Sequence, residues 1–474
     1  MEDLTIMPAP DFSDIPAILP RSNEGHQFVC YADSCSGVPG APEERAFASV
    51  NAVIERLRPQ PQFICFPGDE IIGLTNDEEA LRAQWQYWHE KELAWLDRRS
   101  IPLYHSTGNH TAYDVASEKL FREVLAHLPR NGPPGQERLT YFVRRDDLLL
   151  VFVNTMWSGL GGEGHVETTW LDQTLTNHAD ARFKLVIGHH PVHPVNGRSS
   201  PYALEIEPDN GREFWQVLLK HKVMAYVCSH LLTFDVQVHE GILQILTAGA
   251  GRAPHALHCV QATLDTHGLR YQALDTNGQI RNWLEWPLSL PSSERWEPFS
   301  SVGNSPVFAG SDGGDATANL VVWRFSGMNA PAGDGDAQML LCGWDDASTQ
   351  SSLWIGLLGR ERRLCVLMSP TPGRSPNYWH GPELQPDRIF DIQIAMHTGM
   401  GPGGLLWRWS DGDPWSSLTA ASSWGAERLV WPDSWGIGHG QRETADRPFR
   451  GGALQVACHT QQLRLSRNNY ESRD

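Results

Sequence analysis

Short apolar segments recur along the first half of the chain, and each ends in polar or Gly-containing residues. Six of these segments are rich in β-branched and aromatic residues, which is typical of buried strands. They are QFVCYA (27–32), QFICF (62–66), IPLYH (101–105), LLLVFVN (148–154), FKLVIG (183–188) and VMAYVC (223–228). Helix-like spacing of apolar residues lies between them, at 42–57, 77–96, 117–128 and 165–178. Strands that alternate with helices predict an α/β domain.

Beyond residue 230 the pattern changes to strands without helices. FDVQVH, GILQILTAG, HCVQATLD and LRYQALDT follow one another, and the first domain is expected to close near Trp286. The Pro/Ser-rich stretch PLSLPSSERWEP (287–298) reads as a linker. The remaining strand candidates are separated by Gly, Pro and Asp, which favours an all-β sandwich. We therefore expect an N-terminal extension (1–24), an α/β domain (25–286), the linker (287–298) and a sandwich (299–474).

Length and charge narrow the class of protein. A chain of 474 residues exceeds one ordinary core, and 41% apolar with 20% charged residues is typical of globular proteins. A net charge of -18 argues against binding to a nucleic-acid backbone. It does not argue against a phosphorylated substrate, because a bound cation inverts the local field.

Three features of the sequence bear on the cellular compartment of the protein. No apolar stretch reaches membrane-spanning length, and the N-terminus lacks the basic start and apolar core of a signal peptide. The eight cysteines show no CxxC spacing, which favours a reducing environment. We therefore expect a cytoplasmic protein without a membrane span, although a mature chain with its signal removed is also compatible.

Polar side chains follow five of the predicted strands. Each group comes directly after a strand end, and the groups are Asp33-Ser34-Cys35, Gly68-Asp69, Asn109-His110, His189-His190 and His230. One histidine in such a place is more often structural, but five groups in order favour a shared site. We expect the five groups to lie in loops on one sheet edge, where their oxygen and imidazole donors would suit a divalent ion.

The order of these groups resembles the calcineurin-like metallophosphoesterase superfamily, whose pattern is DxH, GD, GNH, GHH and GHxH. The segment WLDQTL (170–175) is also similar to a helix of purple-acid-type members. The resemblance covers residues 25–286 and implies two mixed β-sheets flanked by helices. It further implies metal-dependent hydrolysis of a phosphomonoester or phosphodiester in a phosphorylated small molecule, lipid or glycan.

The resemblance implies two metal positions that share one bridging aspartate, Asp69. The second position would take Asp69, Asn109, His189 and His230, and all four are present. The first would take Asp33, Asp69 and two histidines, but Cys35 and Leu232 stand where those histidines belong. Purple acid phosphatases supply a tyrosine three residues after the bridging aspartate, and this chain has Ile72 there.

Three interpretations of the altered first position stay open. In the first, Cys35 is a metal ligand and favours Zn or Fe at that position. In the second, the site holds one ion, and Asp33 acts as a base or contacts the ligands without binding the ion. In the third, the domain is a non-catalytic relic. One or two divalent ions (Zn, Fe or Mn) are thus expected per chain. Asp235 and His239 are the nearby candidates to replace Leu232, but their spacing favours ordinary strand residues.

Roles for the other residues come from the same resemblance. His110 is the candidate general acid or transition-state donor, and Asp33 the second catalytic candidate. His190 is expected to support the site without ligation, and Asn154 to orient a ligand. Trp157, His165 and His193 are candidates for lining a substrate pocket, although ordinary surface positions are the commoner outcome for such loop residues.

The C-terminal region resembles concanavalin/laminin-G-type sandwiches, on FDIQIAMHTG (390–399), GLLWRWSDG (404–412) and FRGGALQVACH (449–459). Such folds often bind glycans or proteins, so a glycan or a protein is the candidate ligand of this domain by analogy of fold alone. Four tryptophans are candidates for sugar stacking, although packing is the commoner role: Trp415, Trp424, Trp431 and Trp435. The function predicted first is a metal-dependent phosphoesterase. The alternatives are a non-catalytic binding protein and a one-metal enzyme of another reaction type.

Overall fold

The structure is a computed structural model. It describes residues 13–22, 24–156, 158–195, 206–252, 256–288, 290, 296–299, 310–312, 315–329, 337–346, 351–369, 377–422, 432–440 and 447–467. Within these ranges, every helix falls short of the length and hydrophobicity needed to span a bilayer.

The N-terminal half alternates strands and helices up to residue 228, as predicted. Its strands are β1 (Ile15–Pro16), β2 (His26–Cys30), β3 (Leu57–Arg58), β4 (Phe63–Phe66), β5 (Leu103–His105), β6 (Tyr141–Arg145), β7 (Leu148–Phe152), β8 (Phe183–Ile187), β9 (Ala225–Cys228), β10 (Phe234–His239), β11 (Ile242–Thr247), β12 (Cys259–Asp265), β13 (Gly268–Leu274) and β14 (Ile280–Trp286). Its helices are α1 (Pro42–Glu55), α2 (Glu78–Tyr87), α3 (Val115–Val124), α4 (Thr168–Asn177) and α5 (Pro208–Lys220).

Local signals explain where the helices begin. Pro42 opens α1, where a missing N–H costs nothing, and the Asp77 side chain accepts two main-chain N–H groups at the start of α2. Asp114 and Ser117 form a reciprocal capping box at α3. α5 was not predicted, although Pro208 follows Glu207, whose side chain caps its first turn.

The N-terminal strands form two six-stranded sheets. The first has the order β14-β13-β12-β2-β4-β5, and the second the order β10-β11-β9-β8-β7-β6. Both mix parallel and antiparallel pairs: β2, β4 and β5 run parallel, whereas β12 is antiparallel to β2. The predicted pair of mixed sheets is therefore present.

The two sheets pack face to face between outer layers of helices. On β7, Leu148 and Leu150 face the core shared with the first sheet. Leu149 and Val151 face a second core that contains residues of α4 and α5. Because both faces of the strand are buried, its sequence is continuously apolar and does not alternate.

The C-terminal region is all β in the part that the structure describes. Its strands are β15 (Glu297–Pro298), β16 (Gly310–Asp312), β17 (Asp315–Met328), β18 (Gln338–Trp344), β19 (Ser351–Leu358), β20 (Arg363–Met368), β21 (Asn377–Glu383), β22 (Ile389–His397), β23 (Leu405–Arg408), β24 (Ser416–Ser417), β25 (Thr419–Ser422), β26 (Ser434–Ile437) and β27 (Gly452–Leu465). One sheet has the order β15-β27-β17-β22-β23-β24, with β16 beside β17, and the other the order β25-β21-β20-β19-β18-β26. They share one apolar core, as in a β-sandwich.

The sheet that contains β17 is buried on both faces. Val321 and Trp323 point into the core of the sandwich. Leu320 and Val322 belong instead to the core of the N-terminal domain. The two domains therefore share a continuous apolar junction.

Two sequence-based boundaries differ from the structure. Ile15–Pro16, assigned to the N-terminal extension, pairs with Leu57–Arg58 inside the first domain. Glu297–Pro298, assigned to the linker, pairs with β27 of the sandwich. Both short segments lack apolar periodicity, so the sequence pattern did not predict them as strands. Pairing with the neighbouring strand determines their conformation.

Candidate metal centre

The five polar groups predicted from the sequence converge, but on two sheets and not on one sheet edge. Asp33, Asp69 and Asn109 follow β2, β4 and β5 of the first sheet, while His189 and His230 follow β8 and β9 of the second. The expectation of a single edge was wrong because strand order in sequence does not reveal which sheet a strand joins. The site lies where the strand ends of the two sheets meet.

The loops that carry the site hold several non-glycine residues in left-handed backbone conformation. The φ angles are 61° at Asp33, 60° at Asp69 and 74° at His230, and those of Cys35 and Leu232 are 41° and 44°. Such angles cost free energy for residues with a Cβ and often occur at functional sites. Main-chain hydrogen bonds from Asp33 to Gly68 and from Cys35 to Asp69 hold two of these loops together.

Donor atoms from four loops form a series of close contacts around His189 and Asn109. Asn109 Oδ1 lies 3.0 Å from His189 Nε2 and 3.0 Å from His230 Nδ1. The two imidazole nitrogens are 3.2 Å apart, and Asp69 Oδ2 lies 3.3 Å from His189 Nε2. Asp69 and His189 are buried, whereas Asn109 and His230 are partly exposed.

The spacing of these atoms fits a divalent ion. Two ligand atoms about 2.1 Å from one ion are about 3.0 Å apart at right angles and about 3.4 Å apart in a tetrahedron. The four measured separations fall in that interval, and imidazole, amide and carboxylate donors suit Zn, Fe and Mn. The residues present therefore fit the ion that the sequence predicts at the second position.

The outer contacts of His189 set the orientation of its ring. Nδ1 lies 2.8 Å from the Pro67 carbonyl oxygen, which only accepts, so Nδ1 carries a proton. The Ser229 hydroxyl donates to the same carbonyl and lies 2.8 Å from Nδ1. Nε2 is thus aimed at Asp69 and Asn109, and support of this kind is typical of histidines that bind metal.

Charges at the site are strongly coupled. Burial alone would lower the pKa of His189, but the Asp69 carboxylate beside it raises that pKa to about 9. Burial acts to raise the pKa of Asp69, yet His189 and the His110 N–H hold it well below its usual value. Burial lowers the pKa of His230 to about 2. His189 and Asp69 therefore stabilise each other's charged form across a separation of 3.3 Å.

The first metal position is altered, as the sequence indicates. Asp33 Oδ2 accepts the His230 N–H at 3.2 Å, and Oδ1 is buried without a hydrogen-bond partner among the described residues. Burial raises the pKa of Asp33 to about 7. Burial, together with Asp69 and Asp33, holds the pKa of the Cys35 thiol well above its usual value. Whether Cys35 binds an ion stays open, because a bound cation would itself favour the thiolate.

His110 lies next to this position and is 7% exposed. Its main-chain N–H donates to Asp69 Oδ1 at 2.8 Å, and its Nδ1 lies 2.6 Å from the Ile72 carbonyl oxygen. Nε2 lies 2.5 Å from Nη1 of Arg252, which only donates. In this tautomer Nε2 is an acceptor, so His110 has no N–H free for a leaving oxygen, and its role as a donor stays a prediction.

Sequence analysis missed two residues near the site, Arg252 and Glu163. Arg252 follows β11 in a loop that contains none of the five motifs, and its exposure is known only from the structure. Glu163 lies 3.0 Å from His190 Nε2, while Thr155 holds His190 Nδ1 at 2.7 Å. Both ring nitrogens of His190 have partners, but His190 also groups with His189 and His230 at ligand spacing, so its role as a support without ligation stays a prediction.

The other candidates lie apart from the donor cluster. Asn154 accepts hydrogen bonds from Thr107 and from the Met156 N–H, and it touches none of the four donors. Asp235 accepts from Gln237, and His239 stacks on His193 with centroids 3.6 Å apart. These contacts match strand residues and offer no substitute for Leu232.

The remaining aromatic candidates are divided between packing positions and the undescribed part of the chain. Trp415 is 6% exposed and lies under Arg408, and Trp435 packs edge-on against Phe299. His165 lies near Gly161 and contacts the Glu163 main chain. Trp157, Trp424 and Trp431 lie outside the described residues.

Gly108 offers a test of how tightly the site is packed. A Cβ at this position would lie 2.2 Å from Asp69 Oδ1 and 2.7 Å from Asp69 N. We expect Gly108→Ala to displace the carboxylate and weaken metal binding by about 10- to 100-fold, measured by competition with a chelator. Gly452→Ala is the control, since its Cβ meets only Met328 Cβ at 3.8 Å. Equal metal affinity in both variants would contradict the assigned position of Asp69.

Comparisons with known proteins agree with this geometry. Residues 26–234 match the family described as calcineurin-like phosphoesterase. A protein of Moraxella catarrhalis, named "Probable cyclic nucleotide phosphodiesterase", is 26% identical over 197 residues. That match covers 40% of this chain and 65% of the relative, so the chain spans less than two thirds of its length.

Two solved structures are similar to about half of this chain. A dimetal phosphatase from Danio rerio is 15% identical with a TM-score of 0.38, over 54% of this chain and 96% of that one. A purple acid phosphatase from yellow lupin (Lupinus luteus) is 13% identical with a TM-score of 0.41, over 56% and 55% of the two chains. The concanavalin/laminin-G resemblance of the C-terminal region stays a prediction. The family match shows that residues 26–234 are similar to calcineurin-like phosphoesterases.

Proposed function

We propose that this chain hydrolyses phosphoesters with one divalent ion held by Asp69, Asn109, His189 and His230. The observation that carries the proposal is the convergence of one donor atom from each of these residues, with neighbouring atoms 3.0–3.3 Å apart. At the neighbouring position, a buried cysteine and a leucine replace two expected histidine ligands. Zn, Fe and Mn all suit the donor set.

We further propose a phosphodiester as the substrate class. A diester carries one negative charge and a monoester up to two, so a diester needs less compensating positive charge at the site. One divalent ion supplies half the charge of the pair in a two-metal site. The Moraxella relative, which is named "Probable cyclic nucleotide phosphodiesterase", also supports this class.

Each residue of the site has a role in this proposal. When bound, the ion polarises a phosphoryl oxygen and makes a bound water more acidic. Asp33, buried beside the site with one carboxylate oxygen free of hydrogen bonds, is placed to accept a proton. His110 borders the substrate position, and its Nε2 acts as an acceptor in the tautomer described. The Pro67 carbonyl and Ser229 hold the ring of His189.

Metal analysis and turnover test the proposal together. Protein reconstituted separately with Mn, Zn and Fe should retain about one ion per chain after dialysis. It should hydrolyse bis-p-nitrophenyl phosphate faster than p-nitrophenyl phosphate, and His189→Ala should lose both the ion and the activity. His178→Ala is the matched control, since His178 lies at the end of α4 and packs on Phe142.

The outcomes separate the interpretations left open by the sequence. Two ions per chain would favour Cys35 as a ligand and contradict the one-ion site. No bound ion, or a bound ion without turnover of either ester, would reject the proposal in favour of a non-catalytic protein. A preference for the monoester would retain hydrolysis and reject the substrate class.

A further inference from the structure

We propose that the guanidinium of Arg252 replaces the ion of the first metal position and binds a phosphoryl oxygen of the substrate. The inference rests on the proposed function for the identity of the substrate, but its contacts are independent of the second metal position. They concern a residue that lies in none of the five sequence motifs.

The loop that carries Arg252 is attached directly to the loop of Asp33. The Ala250 N–H donates to the Ala32 carbonyl at 2.8 Å, and the Arg252 N–H donates to the Asp33 carbonyl at 3.2 Å. Between them, Gly251 passes so close to Ser34 that a Cβ would lie 2.4 Å from the Ser34 carbonyl oxygen. Arg252 is therefore held at a fixed place relative to the first motif.

The side chain of Arg252 reaches the residues that line the first position. Its Nη1 donates to His110 Nε2 at 2.5 Å, and its positive charge acts to lower the pKa of the nearby Cys35 thiol. Cys35, His110 and Asp69 each present a potential ligand atom there, and these atoms lie within 4.8 Å of one another. A cysteine is shorter than the histidine it replaces, which leaves room for a guanidinium.

The cation keeps most of its hydrogen-bonding capacity for a ligand. Arginine has five N–H donors, and within the described ranges the ring of His110 is the hydrogen-bond partner of this guanidinium. Within the described ranges, no carboxylate forms an ion pair with Arg252, and the residue is exposed. An accessible, permanently charged fork without a carboxylate partner suits a phosphoryl group, which it can bind through two parallel hydrogen bonds.

The arrangement also accounts for both altered motifs. A cation at the first position makes the two missing imidazoles unnecessary, since their function was to hold a cation there. Arg252 supplies one positive charge where an ion would supply two. The resulting field suits the singly charged diester proposed above.

Phosphate binding tests the inference without turnover. Protein loaded with one equivalent of Mn is titrated calorimetrically with inorganic phosphate. We expect Arg252→Gln to weaken binding by about 10- to 100-fold and Arg252→Lys to weaken it less, since lysine keeps the charge and loses the fork. Arg99→Gln is the matched control, because Arg99 is exposed and its side chain makes no hydrogen bond or ion pair within the described ranges.

Two results would overturn the inference in this experiment. One is an unchanged phosphate affinity in Arg252→Gln, and the other is a loss of bound Mn in that variant. Circular dichroism verifies folding. If Arg252→Gln does not fold, Arg252→Lys decides, since affinity equal to the wild type for phosphate would show that the fork is not used.

Metal counting tests the replacement itself. The double variant Cys35→His/Leu232→His, which restores the two missing ligands, should still bind one ion because the guanidinium holds the position. Adding Arg252→Ala should raise the count to two. Two ions in the double variant, or one in the triple variant, would overturn the inference.

Phosphate binding through Arg252 without ester hydrolysis would reject only the proposed function, and hydrolysis insensitive to Arg252 would reject only this inference.

Discussion

Asp69→Asn is expected to remove the bound ion and to reduce ester turnover by at least about a hundredfold. Asparagine keeps the shape of the side chain, so Oδ1 can still accept the His110 N–H at 2.8 Å. The charge that faces His189 Nε2 at 3.3 Å is lost, and with it the anionic ligand of the second position. The measurements are metal content after dialysis and turnover of a phosphodiester.

Asp209→Asn is the control for this change. Asp209 lies in the first turn of α5, where it pairs with Arg212 at the surface, and 81% of its side chain is exposed. Its replacement should leave metal content and turnover unchanged. If Asp69→Asn retains one ion and the turnover of the wild type, Asp69 is not a ligand and the proposed site is wrong.

Ending the chain at residue 288 is expected to yield insoluble or unfolded protein, although the whole metal centre would be retained. The cut would remove the sheet that buries one face of the first domain. Trp283 is 1% exposed and packs against Ile18, Ala316, Ala318 and Leu465. Domains are stable by only about 5–15 kcal/mol, so the loss of such a layer exceeds the margin. Solubility and circular dichroism of the truncated chain are the measurements.

A point substitution in the full chain gives a graded form of the same test. Trp283→Ala should lower the free energy of unfolding by about 3–5 kcal/mol while leaving one ion bound. Ile389→Ala is the control, since Ile389 is 79% exposed and its loss should change stability by less than about 0.5 kcal/mol. A truncated chain that folds and binds metal would show that the first domain is independent.

Sequence analysis predicted where the main strands of the first domain lie along the chain, because strands buried on both faces are continuously apolar. LLLVFV became β7 and FKLVI became β8, each within two residues of the expected bounds. The motif order also predicted which side chains meet, although nothing in it states that β2 and β8 lie in different sheets. Sheet membership depends on long-range pairing, which residue patterns do not encode locally.

Features that lack a local pattern were missed. Arg252 lies on an irregular loop, and main-chain hydrogen bonds from Ala250 to Ala32 and from Arg252 to Asp33 hold that loop at the site. α5 was missed because its start is marked only by Glu207 and Pro208. The type of the C-terminal sandwich is not given by strand candidates alone, since many sandwiches share alternating short strands.

The double burial of the sheet that contains β17 limits where the sandwich can meet a ligand. Around β17, one face of that sheet lies on the N-terminal domain and the other on the partner sheet, whereas the neighbouring β27 keeps exposed positions. Recognition of a glycan or protein by this region would therefore use the exposed part of β27, strand edges, connecting loops or the outer face of the β18–β21 sheet. That outer face carries Trp344, Leu358 and Tyr378 as partly buried side chains around a small apolar cluster. Sugar-binding searches by mutagenesis are therefore best directed there, away from the interdomain tryptophans.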